Sequence, residues 1–412
     1  MGSQVEQPKG VPPRSNVRRS ARFLARALHD AWMIAGVTLA LLLSVEVAIR
    51  VAGRVGAMWP HGASSGQGVR HPYAGEAWYQ RLQEPQEMGH RNYRFDPYRG
   101  WWPLPQTARY LNIDSAGVRK SVAFIRGSGR LLRVDMLGSS AMWGYSARDS
   151  FTIPSLTAEA LHRRGLDDIQ IANLGVPGYN QTQETITLLL EIARNRIPDV
   201  VVVMDGANDI HLALHLGTTG HAWDEKRDQD LIRAGEGGLA GFLSEIKNLQ
   251  LVQLTERMLP GPRASEMLPP SGSICAEVAS YYGSLARAIG ALAKDFGFSV
   301  VFLQQPYHET TRKSFTPWEA QFSVSGDYRI CAQKIDSVMA PWGAAYVPLY
   351  RMFDSDTGTI FVDNMAHITE SANQRIAEEI AGLIAPELNH RRSRPTHGVA
   401  SEIQAPVAHS HP

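Results

Sequence analysis

The chain has 412 residues, with 41 Lys and Arg against 40 Asp and Glu, and its net charge of +1 excludes a nucleic-acid partner held by bulk electrostatic attraction. At 44% hydrophobic and 20% charged, with 24 prolines and 36 glycines, it is a folding sequence able to bury a core, not a disordered or collagen-like one. Two cysteines exclude a disulfide-dense scaffold and a multi-cysteine zinc module.

Residues 1–30 form a basic tail, with Lys9, Arg14, Arg18, Arg19, Arg22 and Arg26 against Glu6 and Asp30. Residues 31–49 then read AWMIAGVTLALLLSVEVAI, close to the ~20 apolar residues that a helix needs to cross a bilayer. Glu46 interrupts the run near its C-terminal end, beside Arg50, where a carboxylate can reach the interface and pair with a cation. The asymmetry of positive charge predicts a transmembrane anchor over 31–50 with a cytoplasmic N-terminus and the bulk of the chain extracytoplasmic. A buried core helix and a cleaved signal peptide are the rival readings. Against the first stands the all-round apolarity of the run, and against the second the lack of a small-x-small site in RVAGRVGAMWP.

Residues 51–129 are predicted to form an extracytoplasmic linker and an aromatic extension. The first part, to about residue 75, is rich in Gly, Ser, Pro and His. The second carries Tyr93, Phe95, Tyr98, Trp101 and Trp102, without helical periodicity, and ends in NIDSAGVRKS. These aromatics either pack the extension against the main domain or form a platform for a sugar.

From residue 130 the pattern alternates. LLRVDML, DIQIANL, DVVVVM, FSVVFLQ and AAYVPL read as strands, with helices predicted over 152–164, 180–195, 276–296, 327–340 and 370–385. Short all-apolar strands separated by helices predict an α/β fold, a parallel sheet covered on both faces, with chemistry at the strands' carboxyl ends. Cys275 and Cys331 either remain buried thiols or pair in an oxidising compartment, closing a loop of about 55 residues worth about 4 kcal/mol.

The candidate chemistry follows the strands. Ser140, in GSSAMWG after the first strand, sits on a strand-to-helix turn, where the helix start can stabilise a developing oxyanion. NLGVPGYNQT after the second strand offers the Gly178 N–H, and GAND after the third offers the Asn208 amide; both are uncharged donors of the kind an oxyanion hole requires. DNMAHIT, before the terminal helix, supplies His367 as a base and Asp363 as the acid that orients it. Read singly, each is an ordinary cap, turn or surface residue. Their order and placement after successive strands are what point to a serine nucleophile.

These four blocks resemble those of the SGNH, or GDSL-type, serine hydrolases, over residues from about 130 to 385. The resemblance implies a three-layer α/β/α sandwich, flavodoxin-like, with a central parallel sheet of about five strands. It also implies an acyl-enzyme mechanism on ester bonds, with Ser140, His367 and Asp363 as the catalytic set and Ser140, Gly178 and Asn208 as the oxyanion hole. The GWWPLP and NIDSAGVRK segments behind an anchor are similar to those of membrane-tethered bacterial members. Two positions depart from the pattern. Ser139 stands where the family usually has Asp, and three residues separate Asp363 from His367 where two are usual, so that Asn364 occupies the position three before the histidine.

The hydrolase-like domain is expected over 130–388, with a lid-like insertion at about 211–274 and a disordered tail at 389–412. His211, His215 and His221 lack the carboxylates or cysteines to complete a metal site, and no strand is followed by a phosphate-binding glycine loop, so neither metal nor cofactor is expected. Gln304-Gln305-Pro306 is a candidate pocket lining. The expected function is that of a membrane-anchored periplasmic ester hydrolase acting on an acylated glycan or lipid. The alternatives are an O-acetyltransferase that passes the acyl group to a cell-envelope polysaccharide, and a non-catalytic envelope module with the same fold.

Overall fold

The computed structural model describes residues 14–58, 69–84, 92–127, 129–223, 271–322 and 326–393. Two compact units divide the chain, Met1–Gln67 with Gln229–Arg263, and Gly68–Asp228 with Ala264–Pro412.

Of the first unit, the described part is helix α1, Arg14–Met58. It starts well before the apolar run and continues beyond it into residues 51–58, which the sequence assigned to the linker; the Ala, Arg and Leu residues that flank the run on its N-terminal side are strong helix formers. Within it, Phe23–Ile49 is long and apolar enough to cross a membrane, with a mean hydropathy of 2.1. Glu46 is buried, whereas the leucines at 39, 41, 42 and 43 are exposed. Most of the expected insertion, residues 224–270, and the tail from 394 lie outside the described residues.

The second unit is the α/β domain. Strands β3 (Leu132–Gly138), β4 (Ile169–Asn173), β5 (Val200–Asp205), β6 (Ser299–Gln304) and β7 (Tyr346–Val347) form one five-stranded sheet in the order β4-β3-β5-β6-β7. Every pairing in it is parallel. All five coincide with the apolar runs, and β5 is buried at every position, as expected of a central strand covered on both sides. Helices α4 (Ile153–Arg163) and α9 (Glu370–Ser393) share a core with one face of the sheet, through Leu161, Ile376 and Ile380 beneath Val134 and Val202. Helices α5 (Gln181–Ala193), α6 (Ala207–Leu216), α7 (Ser271–Phe296) and α8 (Asp327–Met339) share the other, through Leu188, Ile210, Ile289 and Ile335 around Val201 and Val203. The three-layer sandwich is therefore present. Residues 389–393, assigned to the tail, continue helix α9.

Cys275 on α7 and Cys331 on α8 are disulfide-bonded, with Cα atoms 4.4 Å apart. Both sit in the core among Tyr282, Ile335 and Met339. The pair closes a loop between positions 56 apart, so its loss is expected to lower the unfolding free energy by about 4 kcal/mol. A denaturation midpoint that does not move in Cys275→Ala/Cys331→Ala would contradict this.

The extension contributes what the sequence left undivided, a hairpin of β1 (Tyr93–Asp96) and β2 (Gly100–Pro103). Trp102 is buried under the Arg99 guanidinium, 3.7 Å from the ring, and donates to the Ala116 carbonyl at 2.7 Å. Phe95 and Tyr98 stay exposed, so the aromatics serve packing in part only. Further along, Arg119 is wholly buried. It donates to the carbonyls of Trp143, Gly144 and Ala147 at 2.7–2.8 Å and to Asp149 at 2.9 Å. One guanidinium thus gathers the carbonyls at the end of the turn that carries Ser140.

Candidate active site

The strand order reverses beside β3, because β4 is added on one side and β5 on the other, and the carboxyl ends at such a switch point open into a crevice. Ser140 follows β3 there, and Asn208 follows β5.

Ser140 begins the short helix α3 (Ser140–Trp143), where backbone N–H groups have no intrahelical acceptor. The turn is tight because Gly138 lies against its neighbours; a Cβ there would meet Met142 Cβ at 2.6 Å and the Met204 carbonyl at 2.7 Å. Ser139, in the position usual for Asp, donates to Gln305 Oε1 at 3.1 Å and so ties the turn to the end of β6. Gln304 turns the other way into the core, where its amide donates to the Ala332 carbonyl at 3.1 Å and its Oε1 accepts from the Tyr346 hydroxyl at 2.6 Å.

The loop after β4 is stitched to the end of β3. Val176 N–H donates to the Gly138 carbonyl at 3.1 Å, and the Asn173 side chain donates to the Trp143 carbonyl at 3.3 Å. Gly178 has φ +84°, and a Cβ would come within 3.1 Å of the Trp101 ring, so position 178 requires glycine on both counts. Asn208 lies in the first turn of α6. Its amide donates one hydrogen to the Tyr179 carbonyl at 2.7 Å, and among the described hydrogen bonds the other has no acceptor.

The final block explains its own irregular spacing. Phe361 and Ile368 bridge as antiparallel partners, and Val362 N–H donates to the His367 carbonyl at 3.0 Å, which closes Asp363–Ala366 into a loop. Asp363 Oδ1 accepts the Met365 N–H at 2.9 Å, and this turn directs Oδ2 onto His367 Nδ1, with which it hydrogen-bonds. The extra residue is absorbed by the turn. Glu319 fixes the approach to this loop by accepting the Ile360 and Phe361 N–H groups at 2.9 and 3.0 Å.

Tyr145 links the nucleophile turn to this block. Its N–H donates to the Ser140 carbonyl at 3.0 Å, and its ring stacks on the His367 imidazole with centroids 4.2 Å apart. Among the described hydrogen bonds none joins Ser140 Oγ to His367; the link between the two segments runs through the Tyr145 backbone and ring. With Nδ1 held by a carboxylate, Nε2 is the nitrogen left to move a proton.

His211 and His215, set aside as metal ligands, stack on each other with centroids 4.0 Å apart, and His211 also stacks on Trp223 and bonds to the Tyr328 hydroxyl. Among the described residues no group of His, Cys, Asp or Glu is placed to hold a metal.

Behind Asn208 lies an acidic cluster, the buried Glu184 and Asp205 with the half-buried Asp209, and the Tyr282 hydroxyl donates to Asp205. Burial pushes Asp209 up to about 8, helped by the Asp205 charge, and pushes Asp205 up to about 6 against its interactions with Glu184 and Tyr282. Glu184 is raised well above the usual carboxylate range by burial and by Asp205. Folded-state values above the unfolded ones mean that the native state binds more protons than the unfolded chain, so this cluster's contribution falls as pH rises from about 4 towards 8. Asp209→Asn is therefore expected to flatten the decline of thermal stability between pH 5 and 8. An identical pH slope in the variant would contradict the assignment.

Residues 136–326 match the model of the GDSL-like Lipase/Acylhydrolase family. Among solved structures, the lipase/acylhydrolase from Enterococcus faecalis aligns at 15% identity, covering 64% of this chain and 100% of that one, with a TM-score of 0.37. The acetyl xylan esterase AlAXEase aligns at 13% identity over 61% of this chain and 100% of that one, with a TM-score of 0.36. A member of the lipolytic protein G-D-S-L family from Veillonella parvula DSM 2008 aligns at 13% identity over 61% and 96%, with a TM-score of 0.34. No curated protein matches the sequence. The matched segment holds the nucleophile, glycine and asparagine blocks in order on one sheet, with the histidine block folded back beside them, and over that segment the chain is similar to the GDSL-like Lipase/Acylhydrolase family.

Proposed function

We propose that the protein is a membrane-anchored, extracytoplasmic serine esterase in which Ser140, His367 and Asp363 form the catalytic set. Ser140 Oγ attacks the ester carbonyl while His367 Nε2 takes its proton. The same nitrogen then protonates the leaving alcohol, and water regenerates the serine from the acyl-enzyme. The Ser140 and Gly178 N–H groups and the second hydrogen of the Asn208 amide stabilise the oxyanion; one such donor is typically worth about 2.7–4 kcal/mol of barrier. The observation that carries this reading is the hydrogen bond between Asp363 and His367 Nδ1, with the same imidazole stacked on the residue that closes the Ser140 turn.

The apolar stretch Phe23–Ile49 supports the anchor, and the basic residues before it support a cytoplasmic N-terminus. The disulfide supports an oxidising compartment for the domain, since such bonds persist outside the cytosol. A second reading, acyl transfer to a polysaccharide hydroxyl, draws on Trp101 and Trp223, whose side chains flank Gly178 and would give a sugar acceptor apolar surface beside the oxyanion donors. The test is full-length protein in detergent assayed on short- and long-chain p-nitrophenyl esters, with and without oligosaccharide acceptors. Hydrolysis that is abolished in Ser140→Ala supports the esterase; acyl transfer exceeding hydrolysis would replace it with the transferase.

A further inference from the structure

Tyr145 is the residue through which the nucleophile turn touches the base. Helix α3 is a single turn and ends at Gly144, whose φ of +89° takes the chain out of the helix. A Cβ at 144 would meet Thr152 Cγ2 at 2.5 Å and Arg119 Nη1 at 3.1 Å, so the position requires glycine for space as well as for its backbone angle. Just beyond it, the Tyr145 N–H closes the turn on the Ser140 carbonyl at 3.0 Å. Arg119, from the segment ahead of the sheet, grips the chain before and after Tyr145, through the Gly144 carbonyl at 2.7 Å and the Ala147 carbonyl at 2.8 Å. The backbone that carries this ring is therefore held at both ends.

The ring meets His367 face to face, with centroids 4.2 Å apart and planes 14° from parallel. Asp363 holds Nδ1, but one hydrogen bond leaves the imidazole able to tilt about that contact, because the terminal torsion of a histidine has broad wells. A flat surface against the ring removes that freedom and fixes the direction in which Nε2 points. The same surface offers the imidazole the electron-rich face of a phenol, which attracts it more strongly once it carries a proton. Charge near the stack comes from Asp363 and from the Arg148–Glu370 ion pair at the start of helix α9. Burial raises the phenols of Tyr145, Tyr79 and Tyr93 and lowers His71, on which Asp363 also acts, so the face presented to His367 stays neutral where a histidine titrates.

We infer that Tyr145 is the positioning residue of the His367 imidazole: its ring sets the plane of the base and stabilises the imidazolium that forms as Ser140 attacks. The kinetic consequences rest on the esterase reading. The effect on the proton affinity of His367 does not, because it follows from the stack alone.

The test uses the full-length protein in detergent, with p-nitrophenyl acetate hydrolysis followed across pH. The His367 imidazole is titrated by NMR, its signal assigned by its loss in His367→Gln. Tyr145→Leu keeps an apolar contact but removes the aromatic face, and it is expected to lower kcat about tenfold with KM unchanged. Without that face the imidazolium is less favoured, so the His367 titration and the acidic limb of the kcat profile are expected to move together to lower pH, by about 0.5–1 unit. Tyr145→Phe, which keeps the ring, is expected to retain the wild-type titration and a kcat within a few-fold of wild type. A titration and profile that stay at their wild-type positions in Tyr145→Leu would overturn the inference, as would an equal loss in Tyr145→Phe or a change confined to KM. Tyr145→Met, which also lacks a ring, supplies the same comparison if Tyr145→Leu does not fold. Absence of hydrolysis in the wild type itself would instead overturn the esterase reading, and the titration would still decide the role of Tyr145.

Discussion

Replacing Ser140 by Ala is expected to lower ester turnover about 10⁶-fold, the scale found when a serine nucleophile is removed from a complete triad. The loss follows from position. Ser140 is the first residue of its helix, where backbone N–H groups have no intrahelical acceptor, and Gly138 is packed too tightly to take a side chain. The fold should tolerate the change, because the contacts that hold the turn are made by its neighbours, Ser139 to Gln305 and Arg119 to the carbonyls of Trp143 and Gly144. A loss of activity accompanied by an unchanged thermal midpoint is the expected signature. Turnover within tenfold of wild type would remove Ser140 from the mechanism.

Asp363→Asn is expected to lower kcat about 10⁴-fold while leaving the loop closed, since an amide facing Nδ1 favours the wrong imidazole tautomer and gives no charge to the imidazolium. The loop itself should survive, because the Asn Oδ1 can still accept the Met365 N–H and the Phe361–Ile368 bridge does not involve the side chain. The informative control is Asn364→Ala. Asn364 occupies the position where the family's usual spacing would place the acid, yet its described contact is through the backbone carbonyl to Tyr307, so its removal should leave kcat within a few-fold of wild type. Steady-state kinetics on both variants across pH separate the two positions, and a larger loss at 364 than at 363 would reassign the acid.

Much of the domain was legible because its signals are local. A β5 reading VVVVMD announces a strand buried on both faces, and Gly138, Gly178 and Asn208 stand out because they fall at the carboxyl end of a strand or in the loop or helix that follows one. Helix α6 was missed because its first turn is the GAND block itself, which reads as a loop motif until the helix that presents Asn208 is seen. The spacing of Asp363 and His367 was ambiguous in the sequence for a related reason. The loop is closed by a bridge between Phe361 and Ile368 and by an Asx turn, neither of which has a periodic signature. Least legible were Arg119 and His71, whose partners lie far along the chain. Arg119 is buried in NIDSAGVRK although Asp114, Ser115, Ala116 and Lys120 around it are exposed, and nothing in one sequence names the carbonyls it collects. His71 looked like part of a polar linker, and only folding brings it against Trp318.

Peptide mapping by mass spectrometry after treatment with a fluorophosphonate probe tests the convergence of these segments most directly, because the reagent is captured only by a serine with a working base and oxyanion hole. A single adduct on Ser140 that is lost in His367→Ala is the predicted result. Label on another residue, or label on Ser140 that persists undiminished without His367, would contradict it.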